Sequence, residues 1–319
     1  MLAERRALSV IVKRIATFLA LAIITALLLG MLGRYFWPLD LLAHFRVHYV
    51  VALLVCAALL LAARDFRAAA FAVLAGGLAA APVVQYLGAG EDEPAAGPTL
   101  KVLSLNIWFR RDDPLRLVSY LEASGADIIV LQEISREEAQ QLGAALKSYP
   151  HAFIDGAAAS DSVLFSKWPI RHASAVELAS DAVSALLAGI EWHGRRIDVV
   201  GAHLHWPLGA RTATRRDAEL AGLAELARTN SNPLIVLGDF NVTPWSPHFT
   251  QLLETSRLRD CALGHGLDPT WPSPVQVLGI RIDHCLASLH WQTIDTHVGP
   301  HVGSDHRPMI AVLRLREFD

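Results

Sequence analysis

The pattern of apolar and polar positions changes character once along the chain. Up to residue 90 it runs in three long blocks, residues 15–33, 47–63 and 68–90, that contain no Asp, Glu, Lys or Arg. At about 1.5 Å per residue, helices of roughly 17 to 23 residues match a hydrocarbon layer about 30 Å thick. A cleavable signal peptide would account for the first block, since Arg5, Arg6, Lys13 and Arg14 precede it, but not for the two that follow. A buried helical hairpin of a soluble protein is the plainer alternative. Three transmembrane helices are predicted. With the N-terminus in the cytoplasm, Arg5, Arg6, Lys13, Arg14, Arg64 and Arg67 lie inside and Arg34 and Arg46 outside, while Glu91, Asp92 and Glu93 flank the third block. That asymmetry fits the positive-inside rule. An odd number of spans then places the remainder on the extracytoplasmic side, in a periplasm or at the cell surface.

Residues 88–98 form a turn-rich linker, and beyond it the apolar runs shorten. Strands are predicted over residues 100–106, 127–132, 163–165, 171–178, 185–192, 196–203, 234–237, 281–287 and 309–315. Helices are predicted over 114–123, 135–147, 211–228 and 247–255. Asp113 and Pro114 mark a helix start, Ser135 and Glu138 have the spacing of a capping box, and Trp192-His193-Gly194-Arg195 reads as a tight hairpin. Many short strands mixed with helices imply an α/β sandwich rather than a strictly alternating parallel sheet. The chain divides into a membrane region over 1–98 and a globular domain over 99–319.

Composition sharpens this division. The 53% hydrophobic content and mean hydropathy of +0.34 are concentrated in the first region, and residues 99–319 hold 20 Lys and Arg against 25 Asp and Glu. An acidic domain speaks against a broad basic surface for nucleic acid. Three cysteines exclude a disulfide scaffold. Cys56 falls in the second apolar block, whereas Cys261 and Cys285 are expected to pair as a disulfide in an oxidising compartment.

The candidate chemistry sits where strands end. Ser104-Leu105-Asn106, Gln132-Glu133, Ala202-His203-Leu204, Gly238-Asp239-Phe240-Asn241, Arg281-Ile282-Asp283-His284 and Gly303-Ser304-Asp305-His306-Arg307-Pro308 switch abruptly from apolar to carboxylate, carboxamide or imidazole. A folding core has no use for that switch repeated so often. A metal-assisted phosphoryl-transfer site needs oxygen ligands for a hard cation, a base, and donors for phosphate oxygens. Glu133 either holds a cation, with Asn106 beside it, or caps the following helix. Asp239 either readies a water or forms an Asx-turn, and the Asn241 amide can donate to a phosphate oxygen. Of His203 and His205, which face opposite ways on a strand, His203 is expected to reach the site. Asp305 can ligate metal while His306 faces the phosphate, with Asp283 fixing the imidazole through its other nitrogen.

In this order the residues resemble the endonuclease/exonuclease/phosphatase superfamily, which includes pancreatic-type DNases, abasic-site nucleases, inositol polyphosphate phosphatases and neutral sphingomyelinases. The resemblance covers residues 99–319. It implies a four-layer fold with two mixed β-sheets facing each other between outer helices, and hydrolysis of P–O ester bonds using Mg²⁺, with Mn²⁺ or Ca²⁺ as alternatives. By that resemblance Glu133 and Asp305 are metal ligands with Asn106 close by, and Asp239 is the water-activating base. Asn241 and His203 are phosphate donors, and His306, paired with Asp283, binds the scissile phosphate. Abasic-site nucleases have an Asp two residues after the first Asn, where this chain has Trp108, which argues against the DNA-repair branch. The expected activity is that of a membrane-anchored phosphoesterase acting on a lipid head group, a small phosphodiester or nucleic acid. An extracytoplasmic nuclease is the first alternative. A membrane carrier or receptor with a regulatory soluble domain is the second, although the apolar blocks lack the buried charges it would need. No protein partner is predicted.

Overall fold

A computed structural model describes residues 2–88, 97–108, 114–154, 162–180 and 182–316. Its contacts divide the chain into two units, Met1–Gln85 with Trp245–Pro247, and Tyr86–Pro244 with His248–Asp319. Most of the expected linker and the Asp113 cap lie outside the described residues.

The first unit contains α1 (Leu2–Gly30), α2 (Trp37–Ala43), α3 (Arg46–Ala62) and α4 (Phe66–Leu87), which runs on into the second unit. Residues 7–30 and 66–87 are long and apolar enough to cross a bilayer, and α2 with α3, bent by 59°, makes a third candidate. The second expected block is therefore α3, and the bend lies before it, where α2 joins. Ala16, Ala20, Ala57, Ala69 and Ala72 pack with Leu53, Cys56 and Leu60, small side chains that let helix axes approach closely. Phe18, Phe71 and Leu78 face outward, and Lys13 Nζ reaches Asp65 Oδ2 at 2.9 Å.

The second unit carries β1 (Thr99–Asn106), α5 (Pro114–Ser124), β2 (Ile128–Gln132), α6 (Arg136–Ala145), β3 (His151–Ile154), β4 (Val163–Ser166), β5 (Ile170–Ala179), β6 (Ala182–Trp192), β7 (Arg195–His203), α7 (Ala210–Thr229), β8 (Leu234–Asp239), α8 (Pro247–Ser256), β9 (Arg259–Asp260), β10 (Asp283–Ala287), β11 (Trp291–Val298) and β12 (Met309–Leu315). The strands form two six-stranded sheets, ordered β11-β12-β1-β2-β4-β3 and β5-β6-β7-β8-β10-β9. Each is mixed, with β1 parallel to β2 and β7 parallel to β8. The expected sandwich is thus present, and Ser135 and Glu138 close the capping box in front of α6.

Strand alternation sorts the side chains into three apolar layers. Leu100 and Val102 of β1, Ile128 and Val130 of β2, Ile197 and Val199 of β7, and Ile235 and Leu237 of β8 meet between the sheets. The intervening Leu103, Leu105, Ile129 and Leu131 pack instead on α5 and α6. In the second sheet Val200, Ala202, Val236 and Leu286 pack on α7 and α8. Helix, sheet, sheet and helix therefore follow one another. The sheets approach closely at Gly201, where a Cβ would lie 2.6 Å from Val130 Cγ1.

Cys261 and Cys285 are free thiols, not a disulfide. They lie in the inter-sheet core on neighbouring strands, with Cys261 N donating to Cys285 O at 3.0 Å. Burial, and then the hydrogen-bonded Cys261 thiol, raise the Cys285 pKa well above the ordinary thiol value. The thiolate that oxidation requires is therefore scarce.

Asp198, at the start of β7, is buried and accepts from Arg196 Nε at 3.0 Å, Asn230 Nδ2 at 2.8 Å and Asn232 Nδ2 at 2.9 Å. Burial pushes its pKa up, but these donors outweigh burial and the net shift is downward. Asp198→Asn is expected to cost about 1–3 kcal/mol at neutral pH, because buried donors lose a charged acceptor. A depressed carboxyl pKa contributes stability that is fully present above the unfolded value and is lost as pH falls through the folded one. Urea midpoints of wild type and variant should therefore differ at pH 7 and converge under strongly acidic conditions.

Candidate functional site

At one end of the sandwich the inward-facing rows change chemistry. Continuing the apolar alternation along each strand leads to Ser104 and Asn106 on β1, Gln132 on β2, His203 on β7, Asp239 on β8 and Asp283 on β10. The same periodicity that fills the core thus delivers polar groups from both sheets to one cleft. Gly238 makes the close fit here: its φ is +148°, and a Cβ would meet the Ala202 carbonyl oxygen at 1.8 Å.

Asn106 bridges the sheets. Its Nδ2 donates to Glu133 Oε1 at 2.8 Å and to Asp239 Oδ2 at 3.2 Å. Glu133 has φ +53°, and it does not cap α6, because Ser135 does. Its Oε1 lies 3.7 Å from His203 Nε2, and that nitrogen lies 3.8 Å from Asp239 Oδ2. Asp239 also forms the Asx-turn: its Oδ1 accepts from Asn241 N at 2.9 Å, which leaves Oδ2 toward the cleft. The Asn241 side chain donates to Leu204 O at 2.9 Å, so one of its two amide hydrogens is already engaged.

His306 stands between two carboxylates. Its Nδ1 donates to Asp283 Oδ2 at 2.9 Å, while Nε2 lies 3.7 Å from Asp239 Oδ2. Asp283 and Asp239 are directly opposed on paired strands, an arrangement that repels unless a cation intervenes. Burial by itself lowers the His306 pKa, but Asp283 and then Asp239 outweigh it and hold the imidazole at about 10. Burial, and more weakly Asp283, raise Asp239 to about 6 although His306 opposes them. The result is an imidazolium next to a carboxylate that titrates near neutrality. His284, one residue on, contrasts with it. Fully buried between the Phe240 and Phe249 rings, it is held by burial down at about 4 and donates to Val242 O.

Asp239, Asp283 and His306 place one potential ligand atom each within 4.8 Å of one another. A cation there would have to displace the His306 proton, which both carboxylates retain. Glu133 and Asp305 are better donors. Asp305 Oδ1 is buried without a hydrogen-bond partner, while Oδ2 accepts from Trp271 Nε1 at 3.1 Å. Four carboxylates, Glu133, Asp239, Asp283 and Asp305, share the cleft region with one imidazolium. An unpartnered oxygen in an acidic, oxygen-rich set fits a hard divalent cation.

Several supporting residues went unassigned in the sequence. Ser304 Oγ donates to Asn106 O at 2.7 Å and accepts from His306 N at 3.0 Å. Thr270 Oγ1 accepts from Asp283 N at 3.2 Å, and Trp271 holds Asp305. His205 turns to α7, where buried Glu219 accepts from its N at 2.9 Å and from its Nδ1 at 2.7 Å. Arg216 Nη1, also from α7, donates to Asn241 O at 3.3 Å. Ser304 stands within a quoted motif and could have been assigned there. Thr270, Trp271, Arg216 and Glu219 carry no local signal, since only the fold brings them to the strand ends.

No curated protein matches the chain. Solved structures share its architecture, three of them as follows. An endonuclease/exonuclease/phosphatase from Bacteroides vulgatus is 17% identical, with a TM-score of 0.57 over 69% of this chain and 100% of that one. Sphingomyelinase C from Streptomyces griseocarneus is 19% identical, with 0.51 over 68% and 99%. A mannosyl-6-phosphatase from Bacteroides thetaiotaomicron is 18% identical, with 0.54 over 68% and 100%. At such identities the likeness is one of fold. Residues 103–306, which span the polar strand ends from Ser104 to His306, match the model of the Endonuclease/Exonuclease/phosphatase family. The chain belongs to that family and is an enzyme of its phosphoester-hydrolase class.

Proposed function

We propose that the protein is a membrane-anchored, extracytoplasmic, divalent-metal-dependent phosphoesterase that cleaves phosphodiester or phosphomonoester bonds by attack of water. The observation that carries this reading is the His306 imidazolium clamped by Asp283 beside Asp239 at the polar end of the cleft. Members of the family generally use divalent metals. Glu133 and Asp305, with Asn106 positioning Glu133, would hold Mg²⁺, or Mn²⁺ or Ca²⁺ in its place. When bound, such a cation polarises a phosphoryl oxygen and offsets its charge.

The chain's own groups supply the rest. Asp239 Oδ2 accepts a proton from the attacking water, whose oxygen bonds to phosphorus as the P–O bond to the leaving group breaks. The elevated pKa of Asp239 gives it basicity suited to neutral pH. His306 Nε2, too far from Asp239 for a hydrogen bond, directs its proton at a phosphate oxygen, assisted by His203 and the remaining Asn241 amide hydrogen. Asp283 orients His306 and keeps it charged. Apolar α1 and α4 support membrane anchoring. The contact of Lys13 with Asp65 supports reading Lys13 and the Arg64–Arg67 turn as sharing one side of the membrane, the cytoplasmic side under the positive-inside rule.

The full chain in detergent should hydrolyse at least one of bis-p-nitrophenyl phosphate, sphingomyelin, inositol phosphates, DNA or RNA, and lose that activity to excess chelator. Glu133→Gln and Asp305→Asn should each lower turnover by roughly two orders of magnitude or more while leaving the circular dichroism spectrum unchanged. Full activity in either variant, or with chelator present, would remove the metal from the proposal. Strongly salt-dependent binding of DNA would instead favour the nuclease reading.

Asp283→Asn has a signed consequence for pH dependence. Its negative charge raises the His306 pKa, so its loss must lower it. The alkaline limb of the rate profile should therefore move to lower pH. His306→Ala alone should be about as damaging as the double variant, because the pair acts as one unit. Additive losses across that cycle would show the two residues working independently.

A further inference from the structure

We infer that the loops around the cleft form an apolar rim that seats on a lipid bilayer, so that the phosphoester entering the site is the head group of a membrane lipid. This deepens the phosphoesterase reading and rests on it. The first observation is where apolar surface remains uncovered. Trp108, Trp206, Leu208, Trp271, Val277 and Leu278 are all exposed, Trp206 by 60% and Val277 by 85%. Each lies on a segment entering or leaving the strand ends that carry the site. Among the described residues after Leu87, the other exposed large apolar side chains are Leu115, Leu263, Val275 and Leu289, of which Leu289 follows β10 at the opposite end. Apolar surface gathered at one end of a domain marks a face that something covers.

The chemistry of the rim selects the cover. Residues 204–211, 269–282 and 299–304 contain no Asp or Glu, and Arg211 and His301 are exposed among them, while Arg281 is buried against Asp260 and His205 is held by Glu219. Exposed Asp268 borders the second stretch, so the outer face carries few charges and both signs, which suits zwitterionic head groups. Tryptophan, with an apolar ring and one polar N–H, is favoured at the membrane–water boundary. Trp271 keeps its Nε1 on Asp305 while its ring is 37% exposed. Stacked nucleobases would occupy tryptophans too, but would leave Val277 and Leu278 without a role.

A bilayer is also close in sequence. Tyr86, the first residue of the globular unit, belongs to the last turn of apolar α4. Its Oη donates to Asp260 Oδ2 at 3.0 Å, and its ring lies 4.9 Å from the Arg281 guanidinium. Its carbonyl accepts from Gly266 N at 2.7 Å. Within the globular unit Tyr86 thus holds both ends of the segment from Asp260 to Arg281, which contains Trp271, Val277 and Leu278.

The test uses the full chain in nanodiscs of phosphatidylcholine, phosphatidylglycerol and sphingomyelin. Nitroxides are placed at Val277→Cys and Leu208→Cys, with Leu289→Cys as the reference; the native cysteines are buried. Labels at 277 and 208 should be more accessible to oxygen than to a water-soluble nickel chelate, and the label at 289 the reverse. Labels at 277 and 208 that behave like 289, or that are shielded from both reagents as under a protein partner or a second copy, would overturn the inference. With Val277→Glu and Leu278→Glu combined, hydrolysis of nanodisc lipid relative to bis-p-nitrophenyl phosphate should fall about tenfold, since two charges oppose seating on the bilayer. An unchanged ratio, or a wild type that cleaves DNA or RNA but no lipid, would also overturn it. A wild type that cleaves no phosphoester defeats the phosphoesterase reading instead, and the label depths still decide whether the rim meets lipid.

Discussion

One proton on one imidazole holds the polar end of this sandwich together. Asp239 and Asp283 are removed from water and opposed across paired strands, and two bare carboxylates so placed would drive β8 and β10 apart. His306 makes the arrangement tolerable by remaining charged between them. Its own position depends on Ser304, which ties the His306 backbone to the end of β1. Asp283 depends in turn on Thr270. The groups that give the site its reactivity are thus also those that allow the two sheets to close over buried charge.

What was legible in the sequence follows from which strands carry a pattern. Interior strands such as β2 and β8 are buried on both faces and announce themselves as continuous apolar runs. The strands without a clear signal, β3, β9 and β11, all lie at sheet edges. There one face or both meet solvent, and β11 is further disturbed by a register shift between Thr293 and Asp295. Polar strand ends were readable because a carboxylate after an apolar run contradicts the local pattern. Residues that act from a distance in sequence, such as Glu219 on His205 or Trp271 on Asp305, contradict nothing locally and could not be read. The cysteines show the converse error, for a compartment argument suggested a covalent link where both thiols are free and buried, and burial raises the Cys285 pKa.

Division of labour within the unit is also plain. The strands fix the reacting groups to a common face, and their register leaves little freedom in where those groups stand. The loops that follow the same strands differ in character, being short, irregular and rich in tryptophan and proline. Fold likeness without close sequence likeness is what this arrangement would produce, since the scaffold constrains the strand ends and leaves their surroundings open.

The close approach of Gly201 to Val130 has a mechanical meaning. Glu133 and Asn106 come from one sheet, and His203, Asp239 and Asp283 from the other, so the thickness of the apolar layer acts as the ruler that spaces the two halves. A side chain one methyl larger in that layer would open the cleft without touching any polar residue. A smaller one would let the halves settle together and crowd it. Selection on the interior of this protein is therefore also selection on the dimensions of its reaction chamber, and variation in the core can be heard at the cleft as a change of gauge.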